Sequence, residues 1–160
     1  MENQLTHLDE QGNPAMVDVG QKSASGRMAR AEAIVEVTPE IMALMEGGEL
    51  RSKKGPVFQT AIIAGIMAAK QTGNLIPLCH PIGLDRCDVH IEVIGEARIR
   101  VQCTAALTAK TGVEMEALTG ASIAALTIYD MCKALSHDIT ISSIRLMEKR
   151  GGKRDFFRAE

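Results

Sequence analysis

The stretch KTGVEMEALTGASIAALTIYDMCKALSH, residues 110–137, constrains the fold more than any other part of the chain. It contains no proline, a Thr-Gly turn opens it, and Met115, Leu118, Ile123, Leu126, Tyr129 and Cys132 recur at helical spacing, which predicts one helix over 113–137. Ala, Met and Ile occupy most of its circumference, more than one sheet covers. The rest of the chain must therefore supply a broad sheet, and association between copies is expected to bury what the sheet leaves bare.

Four segments alternate with period two. RAEAIVEV at 30–37 sets Ala31, Ala33, Val35 and Val37 on one face against Arg30, Glu32 and Glu36 on the other. DVHIEVIG and ARIRVQCTAALT form a hairpin about Gly95-Glu96, and DITISSIRLMEK is a last strand. Thr38-Pro39 starts a helix, with Ile41, Leu44 and Met45 as its stripe and Gly47-Gly48 as its end. ELRSKKG reads as a polar loop, and VFQTAIIAGIMAAKQTG as a second helix closed by Gly73. Strand, helix, helix, strand, strand, helix, strand is the split βαβ order: an α+β, ferredoxin-like sandwich with an additional helix. A chain of 160 residues makes one domain, taken as 17–160, behind a polar tail at 1–16 expected to be flexible.

A net charge of -2 sets up no field for nucleic acid, and four aromatic residues without Trp leave no stacking platform for single strands. No apolar run approaches the roughly 18 residues of a spanning helix, and MENQLTHLDEQGNPAM has no apolar core of signal type, so no membrane partner and a cytoplasmic location are expected. Cys79, Cys87, Cys103 and Cys132 show no CxxC spacing and are expected to be free thiols, with Cys87 and Cys103 as small hydrophobes in strands.

LIPLCHP at 75–81 places a Cys before a His between two prolines. With only four His and no HExxH spacing, a metal site is a weak reading, and adjacent residues seldom face each other, so His80 is a poor base for Cys79. A loop presenting His80 and its amides to a ligand and a purely structural loop both remain, the second being the commoner. Glu114 and Glu116 follow the Thr-Gly turn, where a helix dipole favours acids, so good helix design accounts for them equally well. Asp130 and Lys133 share a helix face, three residues apart, and a solvated surface ion pair is the commoner explanation of them. Their apolar neighbours suggest that little of this stretch is wet. Glu116 and Asp130 are 14 residues apart, about 21 Å along a straight helix, too far for one small ligand to touch both in one chain. Arg27, Arg30, Lys53, Lys54, Lys110 and Lys133 lie next to turns or helix ends; gathered at a cleft they would hold phosphate, and no GxxxxGK[ST] loop is present to do so.

Taken together, MVDV (16–19), KKGPVFQTA (53–61), AGIMAAK (64–70), LIPLCHP, LTAKTGVEMEALT (107–119) and ALTIYDMCKA (125–134) closely resemble the MoaC family of molybdenum cofactor biosynthesis, from about Leu5 to the RGGK region. The resemblance implies conversion of (8S)-3′,8-cyclo-7,8-dihydroguanosine 5′-triphosphate to cyclic pyranopterin monophosphate with release of pyrophosphate, the substrate coming from a radical S-adenosylmethionine GTP cyclase. It implies a ferredoxin-like subunit in a homohexamer, a trimer of dimers, with sites at subunit interfaces. No cofactor is implied, with Mg²⁺ on the triphosphate left open. Carried over by motif, Asp130 and Lys133 are the acid/base pair, with Lys54 and His80 also catalytic; Lys53 competes with Lys54 for the first role. Leu78, Cys79, His80, Glu114, Met115 and Glu116 bind substrate. Asp18, Lys22, Arg27 and Arg30 match a segment over the triphosphate, joined by Lys149 or Lys153. Two rivals are a Schiff-base lyase built on a desolvated Lys133 and a ring-forming scaffold whose acids and lysines are interface pairs.

Overall fold

The computed structural model describes residues 7–159. In chain order its elements are β1 (Ser25–Glu36), α1 (Pro39–Met42), β2 (Met45–Glu46), β3 (Glu49–Ser52), β4 (Gly55–Pro56), α2 (Val57–Lys70), α3 (Thr72–Leu75), β5 (Arg86–Ile94), β6 (Arg98–Ala109), α4 (Glu114–Cys132), β7 (Thr140–Arg150) and β8 (Phe156–Phe157). The main sheet runs β5-β6-β1-β7-β8, antiparallel throughout. Each βαβ unit leaves a one-strand gap that the other fills: β6 lies between β1 and β5, and β1 between β6 and β7. This interleaving makes the fold ferredoxin-like, as the element order predicts.

Three elements differ from the sequence reading. The helix after Thr38 is a single turn, because Gly47 and Gly48, at φ +57° and +81°, form the tip of a hairpin between β2 and β3 instead of a helix stop. ELRS is therefore a strand of a small three-stranded sheet and not a loop. α4 ends at Cys132, short of His137: Lys133 still bonds back to Tyr129, but Leu135 reaches only Cys132, and the last turn tightens and stops. Gly73 does not close α2, which ends at Lys70; it sits inside the short α3. β8, in the basic tail, extends the sheet edge by two residues. Of the tail at 1–16, residues 1–6 lie outside the described region; residues 7–15 make a tight loop in which the Asp9 carboxylate accepts from the amides of Gln11 and Asn13.

One sheet face packs against α2 and α4. Ala29, Ala31, Ala33 and Val35 of β1 and Ile99, Val101 and Cys103 of β6 meet Ala117, Ala121, Ala124, Ala125 and Ile128 of α4. Most of these side chains are small, so the layers approach closely. A Cβ on Gly65 would lie 2.9 Å from the Gly120 carbonyl, and one on Gly120 would lie 2.5 Å from Cys103 Sγ. The larger members, Ile41, Leu50, Ile99 and Ile128, each add about 1.5–3 kcal/mol by leaving water. The opposite face is charged. Glu32 is almost fully buried there, bonded to Arg145 at 3.1 Å, and Glu148 to Arg30 at 3.0 Å, so the acids taken from water are paired.

α2 begins at Pro56, whose side chain offers no cap. The Glu49 carboxylate, itself buried, supplies one from β3 by accepting from the amides of Phe58 (2.7 Å) and Gln59 (3.1 Å). The small sheet is thereby locked to the helix, which fixes Lys54 in the turn between β3 and β4.

Candidate active site

Two adjoining cavities open at the N-terminal end of α4, of about 820 and 520 Å³. Lys22, Thr111, Gly112, Glu114 and Lys149 line both, so they form one cleft. The larger part is floored by the ends of β1 and β7 and carries seven Lys and Arg side chains against the single carboxylate Glu114. That carboxylate is bonded to Lys149 at 2.8 Å. Such an excess of cations beside a helix start that has no side-chain cap suits a polyanion, and the Arg side chains can grip phosphate oxygens two at a time.

The smaller part is mixed. Leu78, Cys79 and His80 of the LIPLCHP loop face Met115 and Glu116 of α4 across it. Glu116 is 4% exposed and, beyond its own amide, no group among the described residues hydrogen-bonds its carboxyl; burial, reinforced by Glu114, pushes its pKa above the usual carboxylate value. The Cys79 thiol is pushed up by burial and by Glu116, which keeps it a thiol and not a thiolate nucleophile. His80 Nε2 donates to the Val17 carbonyl at 2.7 Å, so in the neutral ring Nδ1 is the free acceptor. That bond and one from Lys110 Nζ to the Gly20 carbonyl, 2.8 Å, strap residues 17–20 across the front of the cleft.

At the other end of α4, Asp130 lies between two lysines, 2.8 Å from Lys54 Nζ and 3.0 Å from Lys133 Nζ. Lys54 also donates to the Asp130 carbonyl. Hydrogen bonds from Lys54 and then Lys133 hold the Asp130 carboxyl below its ordinary pKa. All three side chains are about half exposed, so the dry surroundings expected for Asp130 and Lys133 are not found within one chain. A desolvated Lys133, the basis of the Schiff-base reading, is not found either.

Of the residues singled out in the sequence, Leu78, Cys79, His80, Glu114, Met115, Glu116, Lys22 and Lys149 converge on the cleft, and Arg27 and Lys153 line its basic part. Lys54 reaches Asp130; Lys53 makes no ion pair among the described residues. Asp18 does not line the cleft: it is exposed and caps a turn by accepting from the Gly20 amide at 2.7 Å. Arg30 does not line it either, because it points to the charged sheet face and pairs with Glu148. Arg150 and Arg154 line the basic part and were not singled out. The RGGKR run after the last strand was the available signal. Lys110, noted only among scattered cations, holds the strap. Cys87 and Cys103 are free, as expected, with sulfurs 3.8 Å apart. Among the described residues no three His, Cys, Asp or Glu converge as metal ligands would, and no helix is long and apolar enough to cross a membrane.

The MoaC family model matches residues 16–152. Proteins named cyclic pyranopterin monophosphate synthase from Xanthomonas oryzae pv. oryzae and Xanthomonas axonopodis pv. citri are each 52% identical to the chain over 156 residues, covering 98% of it and 94% of their own length. One from Xanthomonas campestris pv. campestris is 52% identical over 151 residues, 94% of this chain and 92% of its own.

Proposed function

The chain belongs to the MoaC family, and from that membership we propose that it is a lyase of molybdenum cofactor biosynthesis. It converts (8S)-3′,8-cyclo-7,8-dihydroguanosine 5′-triphosphate to cyclic pyranopterin monophosphate and releases pyrophosphate. The observation that carries this reading is the 52% identity, over almost the whole of both chains, to proteins of that name. The cleft is consistent with it, having a cationic trough for a triphosphate beside a smaller chamber with a His and a buried acid for the base and sugar.

In this reading the triphosphate lies along Lys22, Arg27, Lys149 and Lys153, whose charges stabilise the negative charge gathering on the leaving pyrophosphate. Glu116 and His80 stand at the rearranging rings, where several nitrogens and carbons exchange protons. Lys54, Asp130 and Lys133 form the second acid/base group, with Lys54 chosen over Lys53 because it alone reaches Asp130. Since α4 holds this group about 21 Å from Glu116, the site is completed by the same end of α4 from another copy. Exposed Ile63, Met67 and Leu126 on the outer helical layer are surface that such an assembly buries, and a homohexamer of three dimers is the assembly we favour. Residues 17–160 act as the single catalytic domain in the cytoplasm. The reaction requires no resident cofactor, and a radical S-adenosylmethionine cyclase acting on GTP supplies the substrate.

The test is anaerobic incubation of the purified protein with the cyclic dihydro-GTP, following pyrophosphate and pterin together. Stoichiometric formation of both is expected. No turnover by a folded, oligomeric protein would overturn the assignment.

A further inference from the structure

Glu116 looks into two spaces. On one side is the reaction cleft; on the other lies a second cavity of about 290 Å³, walled by Ala69, Thr72 and Ile82, the last of which it shares with the cleft, with the exposed Lys70, Asn74 and Pro81 at its mouth. A Cβ on Gly73 would stand 3.0 Å from Pro81 Cα, so the two backbones pinch the cavity on one side and leave the Lys70 and Asn74 side as its opening. Of the charged and titratable groups around Glu116, Glu114, Cys79, His80, Lys22 and Lys149 belong to the cleft, and Lys70 is the one that lines the rear cavity. Glu116 is more than nine-tenths buried and, among the described residues, only its own amide meets its carboxyl. A group partnered by neither wall yet reached from both is placed to carry something between them.

We propose that Glu116 passes protons between the reaction cleft and bulk water through this rear cavity, with Lys70 and Asn74 as positioning residues that keep its mouth polar. The inference rests on the functional reading above. Its physical motive is the front of the cleft: the strap at 17–20, tied down by His80 and Lys110, lies across it, and a triphosphate bound in the trough would narrow what remains of the direct route to solvent. A rearrangement with several proton transfers gains from a second route. In the step itself the carboxyl gives its proton to a substrate atom made basic by bond rearrangement, and the carboxylate left behind is reprotonated by hydronium or a buffer acid from bulk solvent, reached through the rear cavity. A proton leaving the substrate follows the reverse path. No electrons are exchanged.

The test is the double variant Lys70→Met, Asn74→Leu, which makes the mouth apolar by changing two exposed side chains outside the cleft, with retained folding checked by melting temperature. Expected are a kcat lowered about 5- to 20-fold with KM within about twofold, and a larger solvent deuterium isotope effect than in the wild type. An active wild type matched by the double variant in kcat and isotope effect overturns the relay alone. A raised KM with unchanged kcat does the same, because it would mean that the mouth binds substrate. A wild type with no turnover overturns the functional reading and the relay with it.

Discussion

The two ends of α4 carry similar residue types in opposite physical states. At the start, Glu116 is buried, met among the described residues only by its own amide, and biased toward its neutral form. At the end, Asp130 is half exposed, held between two lysines and biased toward its charged form. Environment therefore moves the two carboxyl groups in opposite directions, Glu116 toward its neutral form and Asp130 toward its charged, ion-paired form. The ends also differ in completeness. The first has a cleft with walls; the second is a charged cluster on an open surface, waiting for a wall.

The largest effect should come from breaking the open end. Lys133→Ala or Asp130→Asn is expected to lower kcat by about 10²–10⁴-fold, the range for a lost general acid or base, with the fold intact by circular dichroism. Mixing Lys133→Ala with Glu116→Ala subunits, after exchange, then asks whether the two ends that meet belong to different chains. Recovery of about a quarter of wild-type activity is expected, since statistical pairing leaves that share of sites with both groups intact. No recovery would return the site to a single chain. Sharpening the walled end instead, Lys149→Ala frees Glu114 within the phosphate trough and should raise KM about tenfold with little change in kcat.

Glu116→Gln reads the difference between the ends as stability. Because the folded pKa lies above the unfolded one, the ionised carboxylate weakens the fold as pH rises through and beyond the ordinary carboxylate range, and that cost is absent below it. Thermal melts should show the variant more stable than wild type at pH 8 and equal to it at pH 4; Asp130→Asn should show no such gain. Cys79→Ser is the smallest: a thiol kept protonated beside Glu116 is no nucleophile, so most activity should remain, and complete loss would reinstate it as one.

The four long strands were legible because alternation gives each one drier face, and α4 because it is long, free of proline and apolar over most of its circumference. The region around Gly47-Gly48 was misread because Ile41, Leu44 and Met45 satisfy a helical stripe and a turn followed by a hairpin equally well. Glycines at consecutive positive φ decide between the two, and a Gly-Gly pair between Met45-Glu46 and Glu49-Leu50 was a usable hairpin signal. The role of Glu49 was out of reach, since a cap supplied from another strand leaves no local pattern. In the site, Leu78, Cys79, His80, Met115 and Glu116 came together as their motifs implied. Arg30 and Asp18 did not: the strand period had already put Arg30 on the charged face, where it meets Glu148, whereas Asp18 spent its carboxylate on a turn that spacing does not show. The exposure of Asp130 and Lys133 was hidden for a different reason, because apolar neighbours on a helix do not say whether the sheet or another copy covers them.

The seam between α4 and the sheet is made largely of Ala and Gly, with Ala29, Ala31 and Ala33 facing Ala117, Ala121 and Ala124. Truncation scanning is blind to such a region, because there is nothing to remove. Its constraints emerge only from enlargement: Gly120→Val would force a methyl into Cys103 Sγ, and overpacking of that kind costs about 1–3 kcal/mol. A library that adds carbon atoms, and not one that deletes them, is the assay that would map how α4 holds its two ends at a fixed separation.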